Sequence, residues 1–113
     1  MNIRLIAADM DGTLLDSRKQ LPEGLFPLVR ALHERGVRFA PASGRQFYTL
    51  YEQFGEIADE LMYISENGAM ICDEQAQDVY CAVLPEPVRA EIMDHPGMRA
   101  SSQCAFFAGT AIF

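Results

Sequence analysis

"IRLIAADMDGTLLDS", residues 3–17, runs an apolar stretch directly into two aspartates, Asp9 and Asp11, with Gly12 and Thr13 behind them. The run is continuously apolar apart from Arg4, which predicts a short buried strand. In an open α/β sheet, ligands bind beyond the carboxyl ends of the strands, and Asp9 stands at that edge. Two carboxylates so close repel each other. Holding them together is costly unless a cation lies between them or one carries a proton.

The pattern repeats outward from this stretch. "LLDSRKQLPEG" (14–24) is polar and turn-rich, a loop or small flap. Leu25, Leu28, Val29 and Leu32 then keep the i, i+3, i+4, i+7 spacing of one helix face. Pro27 is tolerated only in a first turn, so the helix starts near Gly24, and Gly36 stops it. "VRFAPAS" (37–43) reads as a second strand, followed by a helix over 45–54 with Phe47, Leu50, Tyr51 and Phe54 on its core face. "LMYIS" (61–65) is a third strand and Asn67-Gly68 a tight-turn dipeptide. Residues 69–84 read as a hairpin, and 86–95 begin another helix with Val88 and Ile92 on one face. Strand–helix alternation predicts an α/β fold with a parallel, partly doubly wound, Rossmann-like sheet, flanking helices and a β-hairpin.

Composition narrows the partners. The chain has 113 residues, enough for one domain or part of one, and half are apolar, which argues against global disorder. A formal charge of −7 argues against nucleic acid or an anionic membrane as a partner. Cys72, Cys81 and Cys104 are odd in number and form no C-x-x-C pair, which fits free, buried thiols in a reduced, cytoplasmic setting. A Cys72–Cys81 disulfide across the hairpin is the weaker reading. The start "MNIRLIAADMDG" reaches carboxylates before a leader's apolar segment forms, and no apolar run approaches the ~20 residues of a membrane span.

Three strand ends converge chemically. The first brings Asp9 and Asp11, the second Ser43, Gly44 and Arg45, the third Glu66, Asn67 and Gly68. A hard divalent cation such as Mg²⁺ takes oxygen ligands and often bridges to phosphate, so Asp9 and Asp11 are candidate metal ligands. With its charge partly neutralised, Asp9 is a candidate carboxylate nucleophile toward phosphorus, and Asp11 a candidate proton carrier. Gly12 lets backbone N–H groups turn toward phosphoryl oxygens, and Thr13 positions that turn. Ser43 and Gly44, at the expected start of the second helix, favour an anion, and Arg45 offers a guanidinium fork.

Plainer readings exist for each element. The aspartates suit a capped turn, Ser43-Gly44 an ordinary helix cap, Arg45 a solvated helix residue and Asn67-Gly68 a plain turn. An EF-hand is excluded because the glycine falls at the fourth position instead of the sixth. Phe47, Tyr51 and Phe54 read as core, and His33 and His95 as surface residues.

"DMDGTLLDS" followed by "ASGR" and "ISENGA" resembles the haloacid dehalogenase-like hydrolases, in particular the Cof-type phosphatases with an α/β cap. The resemblance runs from about residue 3 to about residue 95. It implies a Mg²⁺-dependent phosphatase of small phosphate esters, with Asp9 as the aspartyl-phosphate nucleophile and Asp11 as general acid/base. It implies that Ser43 holds the phosphoryl group, and that Arg45, Asn67 and Gly68 lie in substrate-contacting segments. Residues 1–84 would then be the N-terminal part of the core and 85–113 the beginning of an incomplete cap. The family's later lysine and later acidic loop have no counterpart here: the single lysine, Lys19, sits in the flap, which is not where the family carries it. A truncated chain is expected, with the outer edge of the first strand bare and stability correspondingly weak. The alternative to a phosphatase is a non-catalytic remnant with weak metal and phosphate binding. A mutase-like phosphoryl transfer would share the first motif.

Overall fold

The computed structural model describes residues 2–99, 107–108 and 111–112. They divide into two compact units, Met1–Cys81 and Ala82–Phe113.

In the first unit, β1 (Leu5–Asp9) leads through a wide turn to α1 (Leu25–Glu34), β2 (Arg38–Ala42), α2 (Phe47–Phe54) and β3 (Tyr63–Ser65). β4 (Met70–Cys72) and β5 (Asp78–Cys81) complete a sheet of order β1-β2-β3-β4-β5. β1, β2 and β3 are parallel, while β3–β4 and β4–β5 are antiparallel, so the sheet is mixed. Turn chemistry explains the change of direction after β3. Glu66, Asn67 and Gly68 adopt φ of 51°, 55° and 89°, three successive left-handed residues that fold the chain back on itself. β4 and β5 form the expected hairpin within residues 69–84, and the turn at 66–68 adds an antiparallel β3–β4 pairing ahead of it.

Apolar spacing accounts for the core. Leu25 and Val29 of α1 and Phe47, Leu50 and Phe54 of α2 are buried with Phe39, Tyr63, Met70 and Cys72 from the strands. Leu28 departs from the expected stripe and is 57% exposed. Phe47 and Phe54 both meet the Tyr63 ring edge-on, at centroid distances of 5.2 and 6.3 Å. Tyr63 Oη donates to the Ala58 carbonyl at 2.7 Å, which satisfies the one polar atom of that buried side chain. α1 starts after Gly24 (φ 85°), as the sequence implies.

β2 is central, yet it contains Pro41. Met62 N–H donates to the Phe39 carbonyl and Ser43 N–H to the Ile64 carbonyl, so odd-numbered residues of β2 face β3. Pro41 falls on that side and has no N–H, which limits the β2–β3 register to Ala42↔Ile64. Among the described residues β1 is paired on one side only, and its Leu5 is 47% exposed.

The second unit comprises α3 (Glu86–Asp94), α4 (Pro96–Arg99) and the antiparallel pair β6 (Phe107–Ala108) and β7 (Ala111–Ile112). Val88, expected on an apolar helix face, is 42% exposed. No helix of the described residues is long and apolar enough to cross a membrane.

Cys72 and Cys81 are both free thiols, but only Cys72 is buried, which corrects the expectation for Cys81. Cys104 lies outside the described residues. Burial pushes the Cys72 thiol up to about 11, and burial likewise raises the Tyr63 phenol. Both groups fold in the neutral form and would ionise more readily in the unfolded chain. The native state therefore holds more protons, and stability falls as pH rises from about 9 upward. Alkylation at pH 8 followed by peptide mapping is expected to label Cys81 well before Cys72. Equal rates would contradict this burial.

Candidate active site

Asp9 ends β1 in extended conformation (φ −65°, ψ 142°). Met10 follows fully buried, and Asp11 is exposed again at φ −75°, ψ 126°. The buried methionine is thus an anchor between two outward carboxylates. Gly12 turns the chain at φ 78°, and Leu15 N–H closes the turn on the Met10 carbonyl at 2.8 Å. An alanine at Gly12 would meet open space but a strained backbone. Thr13 is exposed on the same turn.

The β1–β2 register pairs Asp9 with Ala42, so Ser43 is the next residue beyond the same sheet edge. Asn67 N–H donates to the Ser43 carbonyl at 3.0 Å and Glu66 N–H to the Arg45 carbonyl at 2.9 Å, stitching the tips of β2 and β3 together. Gly44 lies against the Asn67 side chain: a Cβ there would be 3.1 Å from Asn67 Oδ1. Gly68 completes the turn that presents Asn67. Three strand tips are therefore in one locality, as the motifs imply.

Arg45 links them. Its Nη1 donates to Ser43 Oγ at 3.1 Å and pairs with Asp11 Oδ2 at 3.1 Å, and its Nη2 donates to Asp11 Oδ1 at 3.3 Å. Arg45 N–H also donates to Ser43 Oγ, at 3.1 Å. With both acceptor positions of the Ser43 hydroxyl used, its O–H remains as a donor for an anion. The same contact corrects the expected helix start. Arg45 N–H is committed to Ser43 and Gln46 is extended at ψ 155°, so α2 begins at Phe47 and Ser43-Gly44 belong to a loop. The donors gathered here are side chains and not a helix terminus.

Lys19 is the residue that sequence reasoning set aside. Its Nζ donates to Asp11 Oδ1 at 2.8 Å. Asp11 is thus clasped by two cations, and the hydrogen bond from Lys19, then that from Arg45, holds its carboxyl below the ordinary range. Among the described residues no ion pair engages Asp9. The two acids of the motif are therefore unequal: Asp11 is neutralised by neighbours, and Asp9 is left available.

The donors suit a hard cation in kind, being two exposed carboxylates with room for water, which Mg²⁺ retains in most sites. Among the described residues no group of three acidic, histidine or cysteine side chains could hold an ion, so Asp9 and Asp11 form a partial set. A cavity of about 400 Å³ lies at the opposite edge of the sheet, lined by His33, Arg38, Asp59, Glu60 and Glu74. The strand-tip site is an open surface by comparison.

Sheet and site together define an α/β protein with carboxylate, hydroxyl and guanidinium groups gathered at its strand tips. The chain belongs to the haloacid dehalogenase-like hydrolases, whose family model matches residues 6–108. It is 38% identical over 96 residues to the 5-amino-6-(5-phospho-D-ribitylamino)uracil phosphatase YbjI of Escherichia coli strain K12, covering 84% of this chain and 35% of that protein. It is 43% identical over 68 residues to the HMP-PP phosphatase of Cronobacter sakazakii, covering 60% of this chain and 25% of that one. The crystal structure of SMU.1108c from Streptococcus mutans UA159 superposes with a TM-score of 0.70 at 31% identity, over 81% of this chain and 35% of that chain. The chain spans about a third of the length of YbjI and of that structure.

Proposed function

We propose that residues 1–84 are the N-terminal part of a phosphatase core, that 85–113 begin a cap, and that the site hydrolyses small phosphate monoesters such as sugar phosphates. The observation that carries this reading is the contact chain Lys19–Asp11–Arg45–Ser43 beside an unengaged Asp9. An Asp9 oxygen attacks phosphorus, and the bond to the ester oxygen breaks with its electron pair leaving on that oxygen, which takes a proton from solvent water. Water then attacks phosphorus, the bond to Asp9 breaks, and the carboxylate and inorganic phosphate are released. Asp11, ionised in its clasp, accepts the water's proton in this second step and returns it to solvent. Ser43 O–H and the Arg45 guanidinium hold phosphoryl oxygens. Asp9 and Asp11 would hold Mg²⁺, which when bound supplies charge neutralisation between carboxylates and phosphate. A cytoplasmic setting accords with the free thiols.

A second reading is that the chain binds metal and phosphate without turnover, and the partial acidic set favours it. Phosphate release from a panel of sugar phosphates, with Mg²⁺ or with chelator, separates the two. Turnover that needs both Mg²⁺ and Asp9 supports the phosphatase. Phosphate binding without release supports the binding-only reading, and neither result leaves the site without function. A labelled phosphoryl group recovered on a second sugar would instead indicate transfer.

A further inference from the structure

We propose that Lys19 is a phosphate-contacting residue, a cation delivered by the flap that moves from Asp11 to the phosphoryl oxygens when an ester occupies the site. This rests on the phosphatase reading above.

The loop that carries Lys19 is built around one side chain. Asp16 Oδ1 accepts from Arg18 N–H at 2.8 Å and from Gln20 N–H at 2.9 Å. Asp16 N–H donates to the Gln20 carbonyl, and Lys19 N–H to the Asp16 carbonyl, each at 3.0 Å. These four bonds hold Lys19 at φ 61°, a left-handed conformation that a lysine rarely adopts. Lys19 is the single lysine of a chain with formal charge −7, and its ammonium lands on the acid of the first motif.

Fold stability does not account for this arrangement. Lys19 is 65% exposed and Asp11 49%, and an exposed pair of this kind contributes little to the native state. What the loop does achieve is a pair of cations converging on one anionic group. Arg45, at 28% exposure and tied to Ser43, is the fixed member. Lys19, on an exposed four-carbon stem, is the one that can swing without disturbing packing. A phosphoryl group on Asp9 would offer more negative charge and more acceptor oxygens than Asp11 does, and Asp9 stands two residues from Asp11 at the same strand tip.

Orthovanadate, a mimic of transferring phosphoryl, tests this with Mg²⁺ present and calorimetry as the readout. Lys19→Ala is expected to weaken vanadate binding about tenfold, Lys19→Arg to restore most of it, and Arg18→Ala to leave it unchanged. Melting temperatures should agree among all four chains. Should the alanine form fail to fold, Lys19→Met keeps the stem, removes the charge and is expected to show the same loss. Vanadate binding that is undiminished in Lys19→Ala or Lys19→Met, or equally diminished in Arg18→Ala, overturns the role of Lys19 and leaves the phosphatase reading standing. An unaltered chain that binds no vanadate overturns both.

Discussion

Asp9→Asn is expected to remove phosphate release by a factor of about a thousand or more, equivalent to about 4 kcal/mol of barrier. β1 delivers Asp9 to the sheet edge, and buried Met10 fixes the direction of the carboxylate on its far side from the core. An asparagine keeps the size, the strand and the turn, so the fold is preserved. It lacks the anionic oxygen that must form the bond to phosphorus, and its amide cannot neutralise a cation. Lys19→Ala, by contrast, removes one of two cations from the neighbourhood and should cost far less. The separation between these two losses is informative. If Asp9→Asn and Asp11→Asn each reduced phosphate release only tenfold, the first motif would be a metal and phosphate holder, and covalent chemistry at Asp9 would be refuted. Circular dichroism of both variants, unchanged from the parent, is the accompanying control.

Much of this layout is legible in the sequence, for identifiable reasons. β1, β2 and α1 announce themselves through apolar period and through Gly24 and Gly36, because burial and backbone freedom act locally. The convergence of Asp11, Ser43 and Asn67 is legible too, since parallel strands bring their carboxyl ends to one edge. Other features depend on competition that periodicity does not register. The Ser43 hydroxyl takes Arg45 N–H and delays α2, and the left-handed run at Glu66–Gly68 lays β4 antiparallel along β3 ahead of the expected hairpin. Lys19 escaped because its reach is set by an Asp16-centred loop, whose only trace in sequence is an aspartate two residues before Arg18 and four before Gln20. Leu28 has the right spacing but stays 57% exposed among the described residues.

Phe54→Ala is expected to destabilise the first unit by about 3–5 kcal/mol, most of the stability of a domain at the low end of the usual range. Phe54 has no exposed surface and shares the Tyr63 ring with Phe47, so its removal opens a void where α2 meets β3. A domain of this size has a total stability of about 5–15 kcal/mol. Here the lower end applies, because β1 is paired on one side and leaves Ile3 and Leu5 about half exposed among the described residues. The same edge favours association, so the parent chain should melt at modest temperature and lose material to aggregation as concentration rises. Tyr63→Phe supplies the graded comparison. It deletes only the hydrogen bond to the Ala58 carbonyl and should cost about 1 kcal/mol. Tyr48→Ala, at a side chain 52% exposed, should cost less than Phe54→Ala by a wide margin. Urea titrations followed by far-ultraviolet circular dichroism rank the three. Equal midpoints for Phe54→Ala and Tyr48→Ala would mean that the α2–β3 contact does not hold the sheet together, and with it would go the rigid seat on which Ser43, Arg45 and Asn67 depend.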